Sequence, residues 1–401
     1  MKIHGMKSHT LRTWIEIDKK ALRHNVGEFF RFIAPETRLM AVIKSNAYGH
    51  GLVTVAKILS SSLRSPASSI QFPASSLWFG VDSIVEALRL RREGVANPIL
   101  VLGSTLPVRM EEAARERISI SISNFDALDS LSRLQERPAV HIKLDTGMHR
   151  QGFLKKDMPR LIAMMKKKKI VPEGIFTHFA SAKNAAYPTY TIAQLAEFKE
   201  TVAHIEKAGF SGLIRHAAAT GGTLLFPDAH LDMVRIGMGL YGYWPSQESK
   251  LAYVMDSEKS SEQKNKPVIL KPVLTWKTII SEVKQIPKES FVGYDLTEAT
   301  HRKTTIAILP IGYWHGYDRG LSSIGIVLVR GARARVLGRV SMDMLVIDVT
   351  DIPLVRAGDE AVILGKQGKE TVSAEDIGRM IGTSAYEILT RINPLIKRIV
   401  V

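Results

Sequence analysis

The chain has 401 residues, no cysteine and a formal net charge of +16, with 55 Lys and Arg against 39 Asp and Glu. The length is enough for two domains, and the lack of cysteine excludes disulfides, thiolate catalysis and Cys-ligated metal sites. No stretch approaches the ~18 consecutive apolar residues of a membrane span, and the first residues lack the apolar core of a signal peptide. We therefore expect a cytoplasmic protein without a membrane partner.

The positive charge raises the question of a nucleic-acid partner, because clustered Lys and Arg neutralise phosphates. The clusters are few. Residues 166–169 end an apolar helical segment, where cations suit the helix dipole, and in the basic run 330–335 only Arg333 and Arg335 share a strand face. We predict a solvated basic surface, part of which serves an anionic cofactor, and no nucleic-acid partner.

In chain order, residues 13–17 alternate like a strand, and Asp18 is placed to cap a helix that extends to about Phe32. Eight apolar runs follow, with helical segments between them. The runs are 39–43, 77–81, 99–103, 118–123, 139–144, 174–179, 213–218 and 233–237. Strands that are apolar on both faces, alternating with helices, predict an α/β fold, namely a (β/α)8 barrel over residues 13–245 rather than an open sheet.

Two segments interrupt this alternation. Residues 60–76 are rich in Ser and Pro and indicate a surface insertion, and residues 246–266 are polar and charged, as in a linker. We place a linker or insertion at 246–270.

Beyond the linker the pattern changes to short strands separated by turns, beginning with the run 273–283 and including one short helix near residues 374–380. This pattern predicts a mostly antiparallel β domain over 271–401. Residues 1–17 are also able to pack with that domain.

The run 39–43 ends in Lys44 and leads into a turn marked by Gly49 and Gly51. A lysine at the carboxyl end of a buried strand lies beside low-dielectric walls, which favour the free amine that Schiff-base chemistry needs. Most lysines that follow a strand are solvated, so this position alone is a weak indication.

Other polar residues also follow barrel strands, at the end where such barrels build their active sites. They are Asp145 to Arg150, His178, His216, Thr220 and Arg235. Each has an ordinary structural explanation, but their convergence on one end of the barrel favours a site. The run 237–242 matches GxGxxG without a helix after it, so we expect Gly237 to offer its N–H group to a phosphate, with the Thr220 hydroxyl beside it.

Residues 41–51 resemble the pyridoxal-phosphate lysine signature of bacterial alanine racemases. The resemblance covers nearly the whole chain. It implies a PLP-dependent amino-acid racemase acting on alanine and supplying D-alanine for peptidoglycan. Pyridoxal 5'-phosphate is then bound covalently by Lys44, and its phosphate is reached by Tyr48.

The same resemblance implies roles for the other barrel residues. Arg150 contacts the cofactor's phenolic oxygen and the substrate, and the nearby Lys143 is often carbamylated in the family. His178 lies against the cofactor ring. Arg235 bonds the pyridine nitrogen, with His216 supporting it.

In the second domain, the resemblance implies that Tyr294 is the second catalytic residue, that Tyr313 lines the substrate entrance and that the Met342 amide holds the substrate carboxylate, with Asp343 supporting it. Tyr386 matches a further phosphate ligand. Family members are dimers with shared active sites, so Tyr294 would act on the partner's site. Lys44 and Tyr294 would then serve opposite faces of Cα, as a two-base racemisation requires.

Three alternatives stay open. Bulky Trp314 and His315 depart from the common family pattern and are compatible with a racemase of broader amino-acid specificity. A barrel-type PLP decarboxylase shares the two-domain plan, although Arg235 argues against it. A PLP-binding protein without turnover is disfavoured by the domain that carries Tyr294 and Met342.

Overall fold

The computed structural model describes residues 10–62, 76–184, 186–259 and 267–401. Most of the predicted insertion at 60–76 lies outside these residues. The first elements are β1 (Thr13–Ile17), α1 (Lys19–Phe32), β2 (Arg38–Val42), α2 (Leu52–Ser62), β3 (Leu77–Val81), α3 (Ile84–Arg92), β4 (Ile99–Val101), α4 (Met110–Arg115), β5 (Ser119–Ile122), α5 (Phe125–Ser132), β6 (Val140–Lys143), α6 (Met158–Lys168), β7 (Gly174–Phe176), α7 (Thr189–Lys207), β8 (Ile214–His216), α8 (Thr220–Leu225), β9 (Met233–Ile236) and α9 (Gln247–Lys259).

The remaining elements are mostly strands. They are β10 (Leu274–Ile279), β11 (Glu282–Ile286), β12 (Thr304–Leu309), β13 (Ile326–Val329), β14 (Ala332–Leu337), β15 (Leu345–Asp348), β16 (Glu360–Gln367), β17 (Glu370–Val372), α10 (Ala374–Met380), α11 (Ala385–Thr390) and β18 (Lys397–Val400). None of the described helices combines the length and apolar content of a bilayer-crossing segment.

Strands β2 to β9 form a parallel eight-stranded sheet in which each strand pairs with the next in the chain, except that β9 pairs with β2. The ring closes between β8 and β9 through a bridge between Ala219 and Arg235 and through the Asp232 N–H, which donates to the Arg215 carbonyl at 3.1 Å. The predicted (β/α)8 barrel is therefore confirmed, and its eight strands fall within the predicted runs or one residue from them.

The barrel interior is filled by side chains that point inward from several strands. Met40, Trp78, Leu100 and Met233 form one buried cluster. Gly80 faces Met40, and a Cβ at that glycine would lie 2.8 Å from the Met40 Sδ. Glycine at this point of β3 makes room for the large methionine, which fills the barrel as such interiors require.

The second compact unit contains residues 272–401 together with residues 10–19 and 48–54. Its ten described strands follow the order β11-β12-β15-β14-β13-β16-β10-β1-β18, with β17 on β16, and among them only the pair β1–β18 is parallel. The predicted mostly antiparallel domain is confirmed. The run 273–283, predicted as a single strand, forms two strands. The chain leaves β10 after Ile279, and the N–H and hydroxyl groups of Ser281 donate to the Ile308 carbonyl in β12.

The predicted linker at 246–270 contains a helix instead, α9. Tyr253 explains the difference, because its buried ring contacts Phe32 at 5.9 Å and Trp244 at 5.4 Å between centroids. Its hydroxyl also accepts from the Val268 N–H at 3.1 Å. Part of this polar stretch is therefore packed against the barrel.

The closure between β8 and β9 depends on Asp232. Its carboxylate accepts from the Arg215 backbone N–H at 2.8 Å and from the guanidinium at 2.7 and 3.0 Å. Burial raises the pKa of Asp232, but the Arg215 bonds and charge outweigh it, and the pKa lies below its ordinary value.

We predict that Asp232→Asn lowers the free energy of unfolding by about 1 kcal/mol at neutral pH. Because the folded pKa is depressed, this difference is present above the unfolded value of about 4 and disappears as the pH falls through the folded value. Urea denaturation at several pH values measures it. Asp129→Asn, at an exposed ion pair with Arg133, is the control and should change stability by less than about 0.5 kcal/mol.

Candidate active site

Lys44 leaves β2 through an unusual turn. Residues 45–48 all have positive φ, between 50° and 55°, although none is a glycine. The left-handed region costs roughly 1 kcal/mol or more for such residues, so the turn stores strain. The Ala47 N–H donates to the Ile43 carbonyl at 2.8 Å, and the Asn46 N–H donates to Glu86 at 3.1 Å. These bonds hold the backbone that directs Lys44.

The Lys44 ammonium lies 3.2 Å from the Asp82 carboxylate, and 38% of the Lys44 side chain is exposed. The expected apolar surroundings are thus replaced by a charged partner. The residue after Asp82, Ser83, caps α3, and its hydroxyl accepts from the Glu86 N–H at 3.4 Å. Glu86 also accepts from the Asp82 N–H at 2.9 Å and so links the ends of β2 and β3.

Arg235 lies in β9 opposite Met40 of β2 and is only 3% exposed. It donates to the carbonyls of Thr177 at 2.8 Å and Ala217 at 2.7 Å, and to the rings of His216 and His178 at 2.9 and 3.3 Å. Among the described residues none of its hydrogen bonds ends on a carboxylate. Burial lowers the pKa of Arg235 to about 9, so the guanidinium is still charged at neutral pH.

The two histidines beside Arg235 are neutral. Burial and the charge of Arg235 lower the pKa of His178 to about 3 and hold the pKa of His216 well below its ordinary value. Because a guanidinium only donates, the Nδ1 atoms of both rings must accept. Each ring then carries its proton on Nε2.

Lys143 ends β6 and is buried. Burial, together with the charges of Arg150, Arg235 and Lys44, lowers the pKa of Lys143 to about 8. Its ammonium lies 3.3 Å from the Gln151 amide oxygen and 5.7 Å from the centroid of the Phe176 ring. Four cations therefore influence one another in this part of the barrel.

The loop after β6 is shaped by Asp145, a role that the sequence analysis missed. Its carboxylate accepts from the N–H groups of Gly147 at 3.1 Å, His149 at 2.9 Å and Arg150 at 3.1 Å. An Asp followed closely by Gly is the usual signal for such a side-chain-to-backbone turn. This turn positions Arg150.

Thr220 begins α8 and faces the loop after β9. Its Oγ1 accepts from the N–H groups of Gly237 at 3.1 Å and Gly239 at 3.4 Å. A Cβ at Gly239 would overlap the Phe29 ring, so the loop requires glycine there. A single 3-10 turn follows Gly237, so the helix of a dinucleotide motif is missing.

The β unit has its own cavity of about 700 Å³, lined by Tyr294, Tyr313 and Met342. Tyr294 is 67% exposed, which is unusual for a large aromatic ring. The loops of the other two residues are joined because the Tyr313 N–H donates to the Ser341 carbonyl at 3.1 Å. Asp343 follows Met342 in the same loop and lies 4.0 Å from His315.

Tyr48 and Tyr386 also lie together in the β unit, with ring centroids 6.1 Å apart. Burial raises the pKa of Tyr386 to about 12, so its hydroxyl is a donor at neutral pH. Arg398 holds the backbone next to Tyr48 by donating to the Gly49 carbonyl at 2.8 and 3.1 Å.

The predicted residues therefore fall into two sets, each within one unit. The barrel set, with its cluster of cations, is Lys44, Lys143, Arg150, His178, His216, Thr220, Arg235 and Gly237. The β-unit set is Tyr48, Tyr294, Tyr313, Met342, Asp343 and Tyr386. No trio of His, Asp or Glu among the described residues is arranged for a metal ion. The fold and the barrel set define a class of protein: a (β/α)8-barrel enzyme whose site combines a lysine amine with a buried guanidinium.

Two family models, described as alanine racemase, N-terminal domain, and alanine racemase, C-terminal domain, match residues 17–245 and 273–400. The chain belongs to the alanine racemase family. The alanine racemase of Leptospira interrogans serogroup Icterohaemorrhagiae serovar Lai is 37% identical over 397 residues, which cover 98% of this chain and 96% of that protein.

Solved structures give the same result. Alanine racemase from Bacillus anthracis with bound L-Ala-P is 31% identical, with a TM-score of 0.85, and the match covers 97% of this chain and 95% of that one. Alanine racemase from Bartonella henselae with covalently bound pyridoxal phosphate is 26% identical, with a TM-score of 0.80 and coverage of 98% and 100%.

The neutral histidines predict a pH dependence of stability. His178 and His216 gain protons only on unfolding, so the free energy of unfolding should fall as the pH drops below the unfolded value of about 6.5. His178 contributes up to about 1.4 kcal/mol per pH unit until the pH approaches its folded value. Urea titrations between pH 4 and 9, run on the native protein and on His178→Gln, measure this slope.

Below about pH 6.5, the free energy of unfolding of His178→Gln should change less steeply with pH than that of the native protein, by the contribution of one proton. Above about pH 7.5 the two slopes should agree. An unchanged slope in His178→Gln would show that the ring is already protonated in the folded state.

Proposed function

We propose that this protein interconverts L-alanine and D-alanine, using pyridoxal 5'-phosphate bound through Lys44. The observation that carries the proposal is the buried guanidinium of Arg235, which donates to neutral His178 and His216. Arg235 lies on β9, which pairs with β2, the strand that leads to Lys44. The D-alanine so formed supplies peptidoglycan.

The chemistry of the barrel donors fits this cofactor. Lys44 offers a primary amine, and the cations around it suit a phosphate. The Thr220 Oγ1 accepts two N–H groups, which leaves its own proton to donate to an anion. We propose that the cofactor is held by Lys44, Tyr48, Arg150, His178, Thr220, Arg235, Gly237 and Tyr386. When bound, it withdraws electrons from the substrate and weakens the Cα–H bond.

Two groups of this chain then move the proton at Cα. Racemisation takes a proton from one face and returns one to the other, so the two groups must lie on opposite sides. Lys44 serves one face and the phenol of Tyr294 the other. Phenols are weak bases at neutral pH, so the second step depends on cations close to the hydroxyl.

We further propose a homodimer with shared sites, in which Tyr294 of one protomer acts at the barrel of its partner. The exposure of Tyr294 and its place in one cavity with Tyr313 and Met342 support this arrangement. Tyr313 lines the entrance. The Met342 amide and Arg150 receive the substrate carboxylate, and Asp343 and Lys143 support them.

Arg235 favours racemisation over decarboxylation. A charged guanidinium donates its hydrogen bonds and keeps its protons, so a ring nitrogen that faces it stays an acceptor. Electron withdrawal by the bound cofactor would then be weaker than it would be opposite a carboxylic acid. Decarboxylation gains from the stronger withdrawal, so a guanidinium in this place favours the racemase.

Lys44→Ala tests the covalent attachment and the reaction together. We expect the variant to lose the visible absorbance band that borohydride abolishes in the native protein, because Lys44 is the amine proposed to bind the cofactor covalently. It should also lose exchange of the α-hydrogen of L-alanine in heavy water and formation of the D-enantiomer, followed by NMR and chiral chromatography. Lys57→Ala, at a surface ion pair with Glu93, is the control and should keep both. Carbon dioxide release from L-alanine by the native protein would favour the decarboxylase.

Tyr294→Phe tests the second base. We expect it to slow proton transfer on one face far more than on the other, because Lys44 still serves its own face. Isotope exchange measured from L-alanine and from D-alanine gives the two rates. Tyr187→Phe, on an exposed ring of the barrel unit, should leave both unchanged. Equal rates in both directions at the native level would contradict the two-base assignment.

The shared site has a direct test within the same experiment. Lys44→Ala and Tyr294→Phe protomers are inactive or impaired alone, but a mixed dimer contains one site with both native residues if Tyr294 acts on the partner. Activity should therefore rise on mixing and exchange of subunits. No recovery in a dimer verified by mass would place both residues of a site on one chain.

A further inference from the structure

A chain of hydrogen-bonded side chains runs through the barrel interior from Arg235. The guanidinium donates to His216 Nδ1 at 2.9 Å, His216 Nε2 lies 2.8 Å from His141 Nδ1, and His141 Nε2 lies 3.3 Å from Glu173 Oε2. Both rings are fully buried, whereas Glu173 immediately precedes β7 and exposes 34% of its side chain. The chain thus leads from the active-site end of the strands to their opposite end.

Arg235 and Glu173, at the two ends of this series, require the same donor-to-acceptor direction in every hydrogen bond between them. Arg235 only donates, so His216 accepts on Nδ1 and carries its proton on Nε2. That proton is donated to His141 Nδ1, which leaves the His141 proton on Nε2, facing Glu173. A carboxylate only accepts, and the series ends there. Reversing either ring would place two donors against each other.

The packing around the rings keeps them in this arrangement. Phe176 stacks on His216 with centroids 4.8 Å apart and planes at 7°, and Trp78 contacts His141 edge to face at 5.7 Å. A Cβ at Gly174 would overlap the His141 ring, so glycine is required for the two rings to meet. The rings are therefore held both by their neighbours and by their hydrogen bonds.

Glu173 supplies the negative charge of this series. Burial raises the pKa of Glu173, but the bonds from His141 and from the Ser119 hydroxyl, which donates at 2.6 Å, outweigh it and the pKa is lowered. The carboxylate is ionised at neutral pH. In a low-dielectric interior, hydrogen bonds in series polarise one another, so a charge at one end strengthens the bond at the other.

We propose that Glu173 is a positioning residue for the active site, acting through His141 and His216 to hold the Arg235 guanidinium in place. The carboxylate accepts the His141 Nε2 proton at the far end of the barrel and so strengthens the ring tautomers that Arg235 requires. Its effect on turnover rests on the proposed racemase function, whereas its effect on the tautomers does not.

Nitrogen NMR of the 15N-histidine-labelled holoenzyme tests the tautomers. In the native protein we expect His141 and His216 to carry protons on Nε2 and none on Nδ1. Glu173→Gln keeps the shape and one acceptor oxygen but removes the charge, so the Nε2 proton resonances of both rings should move upfield. A native His216 protonated on Nδ1 would overturn the proposal without any variant.

Steady-state kinetics test the link to the reaction. Because one hydrogen bond in the series is weakened, Glu173→Gln should lower kcat by about fivefold, and the KM for L-alanine should change little, since Glu173 does not touch the substrate. The absorbance maximum of the bound cofactor should also shift. Glu173→Asp, which keeps the charge on a shorter side chain, should restore part of kcat.

Glu116→Gln is the matched control, because Glu116 lines the same cavity of about 720 Å³ as Glu173 and no described hydrogen bond links its carboxylate to either ring. It should leave kcat and both histidine spectra at their native values. Equal losses in the two Gln variants would show a general field effect and overturn the proposal. Nε2 proton resonances that keep their native positions in Glu173→Gln would also overturn the proposal, even if the racemase assignment holds. An inactive native protein with the expected resonances would count against the proposed function alone.

Discussion

The structure of the barrel site depends on the burial of one guanidinium. An uncompensated buried charge costs several kcal/mol, so Arg235 requires acceptors for its N–H groups. The carbonyls of Thr177 and Ala217 meet this need just beyond β7 and β8. Each of these strands is three residues long, and the carbonyl of the residue immediately after it turns to the guanidinium. Burial, together with this charge, lowers the pKa of both neighbouring histidines and keeps them neutral.

The other fixed point is the strained turn after β2. Four residues in the left-handed region are tolerated only where the surrounding structure determines the backbone, and Glu86 does so by accepting from the N–H groups of Asn46 and Asp82. Since β2 and β9 are paired, the turn presents Lys44 beside the strand that carries Arg235. The strained turn and the buried guanidinium therefore belong to adjacent strands.

Much of this arrangement follows from the sequence, for identifiable reasons. Parallel strands buried on both faces appear in the sequence as continuous apolar runs, and polar residues that end such runs are expected at one end of a barrel. In the structure, Lys44 follows β2 and Arg235 lies on β9, which pairs with β2. Tertiary contacts decide what the pattern misses. The left-handed turn contains no glycine, and the polar stretch after 246 folds as α9, in which Tyr253 and Ser249 are buried. Residues 48–54 join the β unit through contacts with Arg398, distant in sequence.

The charges of the barrel cluster also explain why the site suits an anion. The carboxylate of Asp145 is engaged by three N–H groups of its own loop, and Asp82 is paired with Lys44. The neutral rings add no charge, so Lys143, Arg150 and Arg235 repel one another. This repulsion adds to the effect of burial in lowering the pKa of Lys143. An anion bound here relieves that repulsion in the folded state only. Binding and folding stability are thereby linked, since a ligand that binds the folded state alone stabilises it by mass action.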